Sequence, residues 1–199
     1  FSLCHSLAMI WWPSEVPTLA HGNITLRPSR ESDIESIYQA CQDPLISHFT
    51  TVPANYTLEH AQLFVRQHDP EGLQSKREIR FIIESSQGPT PQLAGVISFH
   101  SPNFNNKVAE IGYWIAEQYR GKSIGTNAVK VLTNFGFETM GWNRIEAMID
   151  HDNEASKKVI TRAGYEHEGL LRQRVIRADG NVVDMDLYAV LQKNWQGLN

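Results

Sequence analysis

The stretch Tyr119-Arg120-Gly121-Lys122-Ser123-Ile124-Gly125-Thr126 joins a strand-like run, residues 108–115, to a helix-like run that starts near Ser123. A short glycine-bearing loop between a strand and a helix leaves several backbone N–H groups without a partner. These groups and the positive end of the helix dipole together form a binding site for a phosphate. The stretch therefore predicts an α/β unit that binds an anion, which a phosphate-bearing cofactor would supply.

The composition is that of a globular domain. The chain has 199 residues, of which 41% are hydrophobic and 20% charged, so it can bury a core without disulfides. A net charge of -4 argues against non-specific electrostatic binding of nucleic acid. Two cysteines, Cys4 and Cys41, favour a reduced, cytoplasmic setting. No run approaches the roughly 20 apolar residues that cross a bilayer, so we expect no membrane partner.

Hydrophobic periodicity and turn residues divide the chain into an N-terminal extension, residues 1–22, and one domain, residues 23–195. The part before Met9 is interpreted as a vector remnant or a processed start. Strands are predicted at 24–27, 79–84, 92–99, 108–115, 144–149, 171–176 and 182–190. Helices are predicted near 29–41, from Thr57, at 123–140 and at 153–164, with Ser29 or Ser32 capping the first.

This order predicts an α/β (α+β) fold. Because several strands are adjacent in sequence, the sheet of about seven strands should be mostly antiparallel, flanked by about four helices. Parallel crossovers are expected at the two later helices.

Two nucleotide motifs are excluded by spacing. Gly121-Lys122-Ser123 has the ending of a P-loop, but that motif needs a glycine at the position of Ala116. A dinucleotide fingerprint, G-x-G-x-x-G, does not occur in the chain.

The segment from Arg120 to Gly125 resembles the Arg/Gln-x-x-Gly-x-Gly/Ala loop of the GNAT acetyltransferases. Ser123 replaces the middle glycine, which is tolerable if that position does not require a positive φ. Residues 109–115 resemble the central strand of that family. Residues 153–156, Asn-Glu-Ala-Ser, and 163–165, Ala-Gly-Tyr, resemble its next helix and the exit from it. The pattern is similar to the branch that includes ribosomal-protein N-terminal acetyltransferases.

The resemblance implies a single-domain GNAT fold, acetyl-CoA as the donor, no metal, and direct attack by an amine in a ternary complex. It also implies that the central strand splays away from the next strand. The implied cofactor-binding residues are Trp114, Ile115, Arg120, Gly121, Lys122, Ser123, Ile124, Gly125, Thr126, Asn153 and Ser156. The eight histidines show no metal-ligand spacing.

Two residues are the candidates for catalysis. Glu110 sits in mid-strand, where an acid faces either solvent or a site, and it is the candidate base, acting directly or through a water. Ser156 could donate a proton to the departing thiolate, because Ile160 occupies the place where many GNAT enzymes carry a tyrosine. Asn153 would also serve as a helix N-cap without any ligand. Gly112 fits a bulge or a close backbone approach.

The acceptor amine is left open by the sequence. A protein N-terminal α-amine, a polyamine or an aminoglycoside would each suit the acidic residues Glu110, Asp184 and Asp186, and a non-catalytic CoA-binding module is a further alternative. The apolar pair Trp11 and Trp12 suggests packing against another surface. A homodimer is considered as an assembly of the chain.

Overall fold

An eight-stranded sheet organises the computed structural model, which describes residues 9–177 and 179–198. The strands are β1 (Leu19–His21), β2 (Ile24–Arg27), β3 (Glu78–Ser85), β4 (Gln92–Asn103), β5 (Val108–Ile115), β6 (Arg144–Asp150), β7 (Glu166–Ile176) and β8 (Val182–Leu191). The α-helices are α1 (Ile34–Ala40), α2 (Pro44–Phe49), α3 (Leu58–Leu63), α4 (Asp69–Gln74), α5 (Ile124–Phe135) and α6 (Glu154–Arg162). Single π-helical turns extend α3 and α5.

The spatial strand order is β1-β2-β3-β4-β5-β6-β8-β7, and all neighbouring pairs are antiparallel except β5 with β6. The predicted mixed, mostly antiparallel α/β fold is therefore confirmed, with β1 as an additional edge strand. One detail differs from the prediction of two parallel crossovers. Strand β8 lies between β6 and β7, so only the crossover through α5 produces a hydrogen-bonded parallel pair.

Helices cover both faces of the sheet. One hydrophobic cluster packs α5 and α6 against one face, and a second packs α1, α2 and α3 against the other. Successive side chains of β5 point to opposite faces of the sheet, so the strand contributes to both clusters. Ile111 belongs to the first cluster and Trp114 to the second. The central strand is consequently fixed from both sides.

Side-chain caps set the helix starts. Thr57 accepts a hydrogen bond from the His60 N–H at the start of α3, as predicted. The prediction that Ser29 or Ser32 caps the first helix is wrong. That segment begins as a 3₁₀ turn in which the Asp33 carboxylate accepts from the Arg30 N–H at 2.7 Å.

The tryptophans of the lead-in segment pack on the chain itself. The Trp12 indole donates to the Leu73 carbonyl at 3.0 Å, and Trp11 packs edge-on against Phe135. Trp11 nevertheless remains 49% exposed, and the homodimer stays a prediction. The interpretation of the segment before Met9 as a vector remnant falls on residues 1–8, which lie outside the described residues.

Buried Arg27 ties three elements together. Its guanidinium pairs with Asp33 at 2.8 Å and with Glu84 at 2.6 Å, which joins β2 to the turn before α1 and to β3. Arg27 and Asp33 are both about 5% exposed. A buried ion pair is costly to break on one side, because the remaining charges stay in a dry environment.

Replacing Arg27 with Met should therefore lower the free energy of unfolding by about 3 kcal/mol, measured by urea denaturation. Arg66→Met is the matched control, because Arg66 forms an exposed pair with Glu31 and its loss should change stability little. Equal unfolding midpoints for Arg27→Met and the wild type would contradict this prediction.

Candidate active site

Strands β5 and β6 part after three paired positions. Val108, Ala109 and Glu110 pair with residues 144–146, and no pairing of the two strands follows. Among the residues that the structure describes, 111–115 pair only with β4, and 147–150 only with β8. The structure thus shows the splay that the family resemblance implies, and the gap leaves one edge of β5 without a strand partner.

Two cavities meet at this gap. The loop cavity, about 320 Å³, is lined by the loop after β5, the first turns of α5 and α6, and part of α2. The Glu110 cavity, about 310 Å³, is lined by residues that include Ser98, His100, Glu110 and Gly112. Both cavities reach Tyr113, Trp114, Asn153 and Ser156. A donor on one side and an acceptor on the other would therefore meet where β5 ends.

The loop after β5 presents a row of free N–H groups. Among the described residues, none of the backbone N–H groups of residues 121–126 donates to a protein acceptor in ordinary hydrogen-bond geometry. A Cβ on Gly121 would have no atom within 4 Å. Free donors at the start of the twelve-residue helix α5 are suited to an anion, which fits the phosphates of a CoA molecule.

Ser123 departs from the sequence-based expectation. The replacement of the family glycine was expected to be harmless if the position does not require a positive φ, yet Ser123 has φ +61° and ψ +5°. An L-residue in the left-handed region costs about 1–2 kcal/mol. The loop therefore holds its shape against a local strain at Ser123.

The charged side chains of the loop are already engaged. Arg120 donates through Nε to the Ile115 carbonyl at 3.0 Å and pairs with Asp43 at 2.6 Å. The Lys122 ammonium lies 5.8 Å from the centre of the Tyr119 ring. Arg120 consequently ties the loop to the N-terminus of α2, where Asp43 also caps Leu45.

Helix α5 approaches β5 closely at its first turn. A Cβ on Gly125 would lie 3.3 Å from Ile115 Cγ1 and 3.5 Å from Val159 Cγ1. The Thr126 hydroxyl points to the Val159 carbonyl at 3.5 Å, and Ile124 is buried in the core. These side chains fix the helix start, and residues 123–126 line the loop cavity.

Glu110 lies in the Glu110 cavity with its side chain 15% exposed, which disfavours the solvent-facing alternative. Burial, and secondly the charge of Glu146, raise its pKa to about 7. The His100 Nε2 lies 3.8 Å from Glu110 Oε1, and burial lowers the pKa of His100. The cavity thus holds a carboxyl that titrates near neutral pH beside an imidazole that favours its neutral form.

Gly112 allows His100 to reach this position. A Cβ at Gly112 would lie 2.9 Å from His100 Nε2, closer than side-chain carbons tolerate. The expected close approach is therefore made by an imidazole, and the β4–β5 register continues through Gly112 without a bulge. Sequence reasoning did not identify His100, because its contact crosses from β4 to β5.

Ser156 has a tyrosine partner that sequence reasoning also missed. The Tyr113 hydroxyl lies 2.8 Å from Ser156 Oγ, and Asn153 Oδ1 accepts from the Ser156 N–H at 3.0 Å. Burial raises the pKa of Tyr113 to about 12, so it stays protonated. The strand alternation that places Tyr113 on the α6 face was the signal that could have found it.

Asp186 is not available to an acceptor amine. It is 4% exposed and pairs with Lys157 at 2.9 Å, His151 at 2.9 Å and His167 at 2.8 Å. Its pKa falls to about 2, because these hydrogen bonds outweigh the opposing effect of burial. Of the three acidic residues that the sequence suggested for binding the acceptor amine, Glu110, Asp184 and Asp186, Glu110 is the one that lines the Glu110 cavity.

Comparison with known proteins identifies the family. The model of the acetyltransferase (GNAT) domain matches residues 23–166. The uncharacterized N-acetyltransferase YoaA of Bacillus subtilis is 28% identical over 176 residues, which cover 88% of this chain and 97% of YoaA. The putative ribosomal N-acetyltransferase YdaF of B. subtilis is 37% identical over 105 residues, 53% of this chain and 57% of YdaF.

A solved structure of Mycobacterium smegmatis RimJ in complex with CoA-disulfide superposes with a TM-score of 0.82. The match covers 94% of this chain and 92% of RimJ at 21% identity, which supports the fold. The chain belongs to the GNAT acetyltransferase family and is therefore an acyltransferase that uses acetyl-CoA as donor.

Within residues 9–177 and 179–198, no cluster of three or more His, Cys, Asp or Glu side chains is placed to hold a metal ion. In the same part of the chain, no helix has the length and apolar character of a membrane span.

Replacing Ser123 with Gly should relieve the left-handed strain and raise the free energy of unfolding by about 0.5–1 kcal/mol, the difference between that strain and the added entropy of glycine. Urea denaturation measures the change. Ser47→Gly is the control, because Ser47 lies inside α2, where glycine should destabilise. A Ser123→Gly protein that is less stable than the wild type would contradict the assigned strain.

Proposed function

We propose that this acetyltransferase acetylates the α-amine of a protein or peptide N-terminus. The observation that carries the proposal is the meeting of the two cavities at the β5–β6 gap, with a carboxyl that titrates near pH 7 on the acceptor side. An α-amine has a pKa of about 8, so a base of this strength can deprotonate it, whereas a lysine amine near 10.4 demands more. The similarity to a putative ribosomal N-acetyltransferase supports the same acceptor class.

The backbone of the loop is proposed to hold the pyrophosphate of the donor. Gly121 and residues 123–126 line the loop cavity, and their N–H groups, which have no acceptor in the described part of the chain, would donate to the phosphates. The Lys122 ammonium in the same loop would add positive charge. Trp114 and Ile115 lie beyond the last β5–β6 pair, so their backbone edge can contact the pantetheine arm. Asn153 and Ser156 border the same arm from the start of α6.

The chemistry divides between the two sides of the gap. The donor supplies an activated thioester, whose carbonyl carbon forms the new C–N bond as the C–S bond breaks. Glu110 accepts the amine proton, directly or through a water, and Ser156 donates a proton to the departing sulfur. The Tyr113 hydroxyl shares a 2.8 Å hydrogen bond with Ser156 Oγ, which holds the serine side chain in place beside both cavities.

The proposal is tested with purified protein, acetyl-CoA and a panel of acceptors. The panel contains a peptide with a free N-terminus, the same peptide with a blocked N-terminus and one internal lysine, and spermidine. We expect thiol release with the free N-terminus and a mass increase located on its α-amine. Acetylation of spermidine alone, or thiol release with none of the acceptors, would overturn it.

Glu110→Gln should reduce kcat/KM by about 100-fold, within the usual contribution of a positioned base. The wild-type kcat/KM should rise with pH through an apparent pKa of about 7, because the carboxylate is the active form, and this limb should disappear in Glu110→Gln. The pH profile from pH 5.5 to 9 measures both effects. A limb near pH 7 that persists in the variant would rule out Glu110 as its source.

The same variant has a stability signature that separates lost chemistry from lost folding. Burial raises the pKa of Glu110 in the folded state above its ordinary value of 4.5, so the ionised carboxylate destabilises the fold at neutral and alkaline pH. Glu110→Gln should therefore unfold at higher urea than the wild type at pH 8. The advantage should vanish at about pH 3, well below both pKa values, where Glu110 is protonated in the folded and the unfolded state.

Tyr113→Phe should lower kcat about tenfold and leave KM for acetyl-CoA nearly unchanged, because one hydrogen bond to Ser156 is lost. Ser156→Ala should lower kcat about 100-fold. The double variant should be no slower than Ser156→Ala, since Tyr113 acts through Ser156. Additive losses would contradict that role. Tyr165→Phe is the control, because its buried hydroxyl bonds Thr133 at 2.7 Å, away from the gap.

A further inference from the structure

Basic side chains line a cleft that adjoins the Glu110 cavity. This solvent-open cleft, lined by Lys76, Arg77 and Arg80, shares Glu78 and His100 with that cavity. The cleft therefore begins at the imidazole that contacts Glu110. An acceptor whose amine lies at Glu110 has this cleft as one path toward solvent.

Ion pairing separates the structural cations from those that face solvent. Arg80 is held by Asp69 and Glu78, and Arg177 by Asp150. In the described part of the chain, no carboxylate lies within ion-pair distance of Lys76 or Arg77, and both are exposed. The Arg77 guanidinium has a neutral partner, the Ser75 hydroxyl, at 2.9 Å.

A third exposed cation lies on the irregular part of the β7–β8 pair. The β7–β8 register shifts between Leu171 and Val175, and Gln173, at φ +52°, is held by the Asp184 carboxylate at 2.7 Å. This bulge carries Arg174, whose charge acts against the rise in the pKa of Glu110. Arg174 also has no ion-pair partner among the described residues. Lys76, Arg77 and Arg174 are called the basic rim below.

The Glu110 cavity and the basic rim carry opposite charges. The cavity holds Glu110, with Glu146 beside it, and the basic rim adds three cations without an ion-pair partner among the described residues, in a chain whose net charge is -4. A polyamine would place its distal ammonium groups against the rim and be repelled. An acceptor with an anionic group a few atoms from its amine would be attracted at both ends.

We propose that the preferred acceptor is an N-terminus followed by an acidic side chain at the second or third residue. This inference rests on the proposed function and specifies its substrate class. The amine lies at Glu110, and the extended backbone, advancing about 3.3 Å per residue, directs the next side chains to the basic rim. The rim raises the rate of productive encounter, so the preference should weaken as salt is added.

Three peptides that differ only at positions two and three test this proposal. They read Ser-Asp-Glu, Ser-Asn-Gln and Ser-Lys-Lys before a common neutral tail. We expect kcat/KM for the acidic peptide to exceed that for its amide counterpart about tenfold at low salt, the combined effect of a few exposed charge pairs. The basic peptide should be the poorest acceptor of the three.

Reversing the charge of two residues of the basic rim tests whether they cause the preference for the acidic peptide. Lys76→Glu with Arg77→Glu should abolish or invert the acidic preference while kcat/KM for the amide peptide stays within about twofold, because the neutral peptide forms no ion pair there. Lys193→Glu, an exposed lysine beyond the end of β8, is the control and should keep the preference.

The outcomes distinguish the two proposals. Equal rates for the acidic and amide peptides, or a preference that survives both rim substitutions, would overturn the basic-rim proposal while α-amine acetylation stands. Failure of every peptide, together with turnover of spermidine, would overturn the proposed function and this inference with it.

Discussion

The parting of β5 from β6 after Glu110 is the constraint on which the rest of the site depends. A parallel pair that continued to Ile115 would satisfy the backbone of both strands and close the sheet. Because pairing stops after Glu110, the edge of β5 faces a gap that both cavities share. The strands do not collapse into this gap, since β4 holds β5, β8 holds β6, and helices pack on both faces.

Several local features maintain the site at some cost to stability. Ser123 holds a left-handed backbone conformation, and Glu110 keeps a carboxyl in an environment that opposes its ionisation. The surrounding contacts are short and specific. Arg120 joins the loop to the N-terminus of α2 through Asp43, and Asn153 caps α6 by accepting a hydrogen bond from the Ser156 N–H. Strain in the loop and rigidity around it are both expected where a ligand must be bound in one orientation.

Sequence reasoning predicted the features that local chemistry determines. The strand-loop-helix unit at residues 108–135 and the cap at Asn153 each follow from neighbouring residues. It missed features that depend on pairing across the sheet. The insertion of β8 between β6 and β7, the His100 imidazole over Gly112 and the Tyr113–Ser156 hydrogen bond each join residues distant in sequence. The positive φ of Ser123 was not predicted, because a serine in the sequence does not by itself indicate a left-handed backbone conformation.

The most direct test of this account is a ¹⁵N-amide NMR titration of the protein with CoA. The largest shifts should fall on residues 121–126, whose N–H groups have no acceptor in ordinary hydrogen-bond geometry within the described part of the chain, and on Trp114 and Ile115 beyond the last β5–β6 pair. Saturation with CoA that leaves these amides unmoved and shifts another surface would contradict the assignment of the β5–β6 gap as the place where the donor is bound.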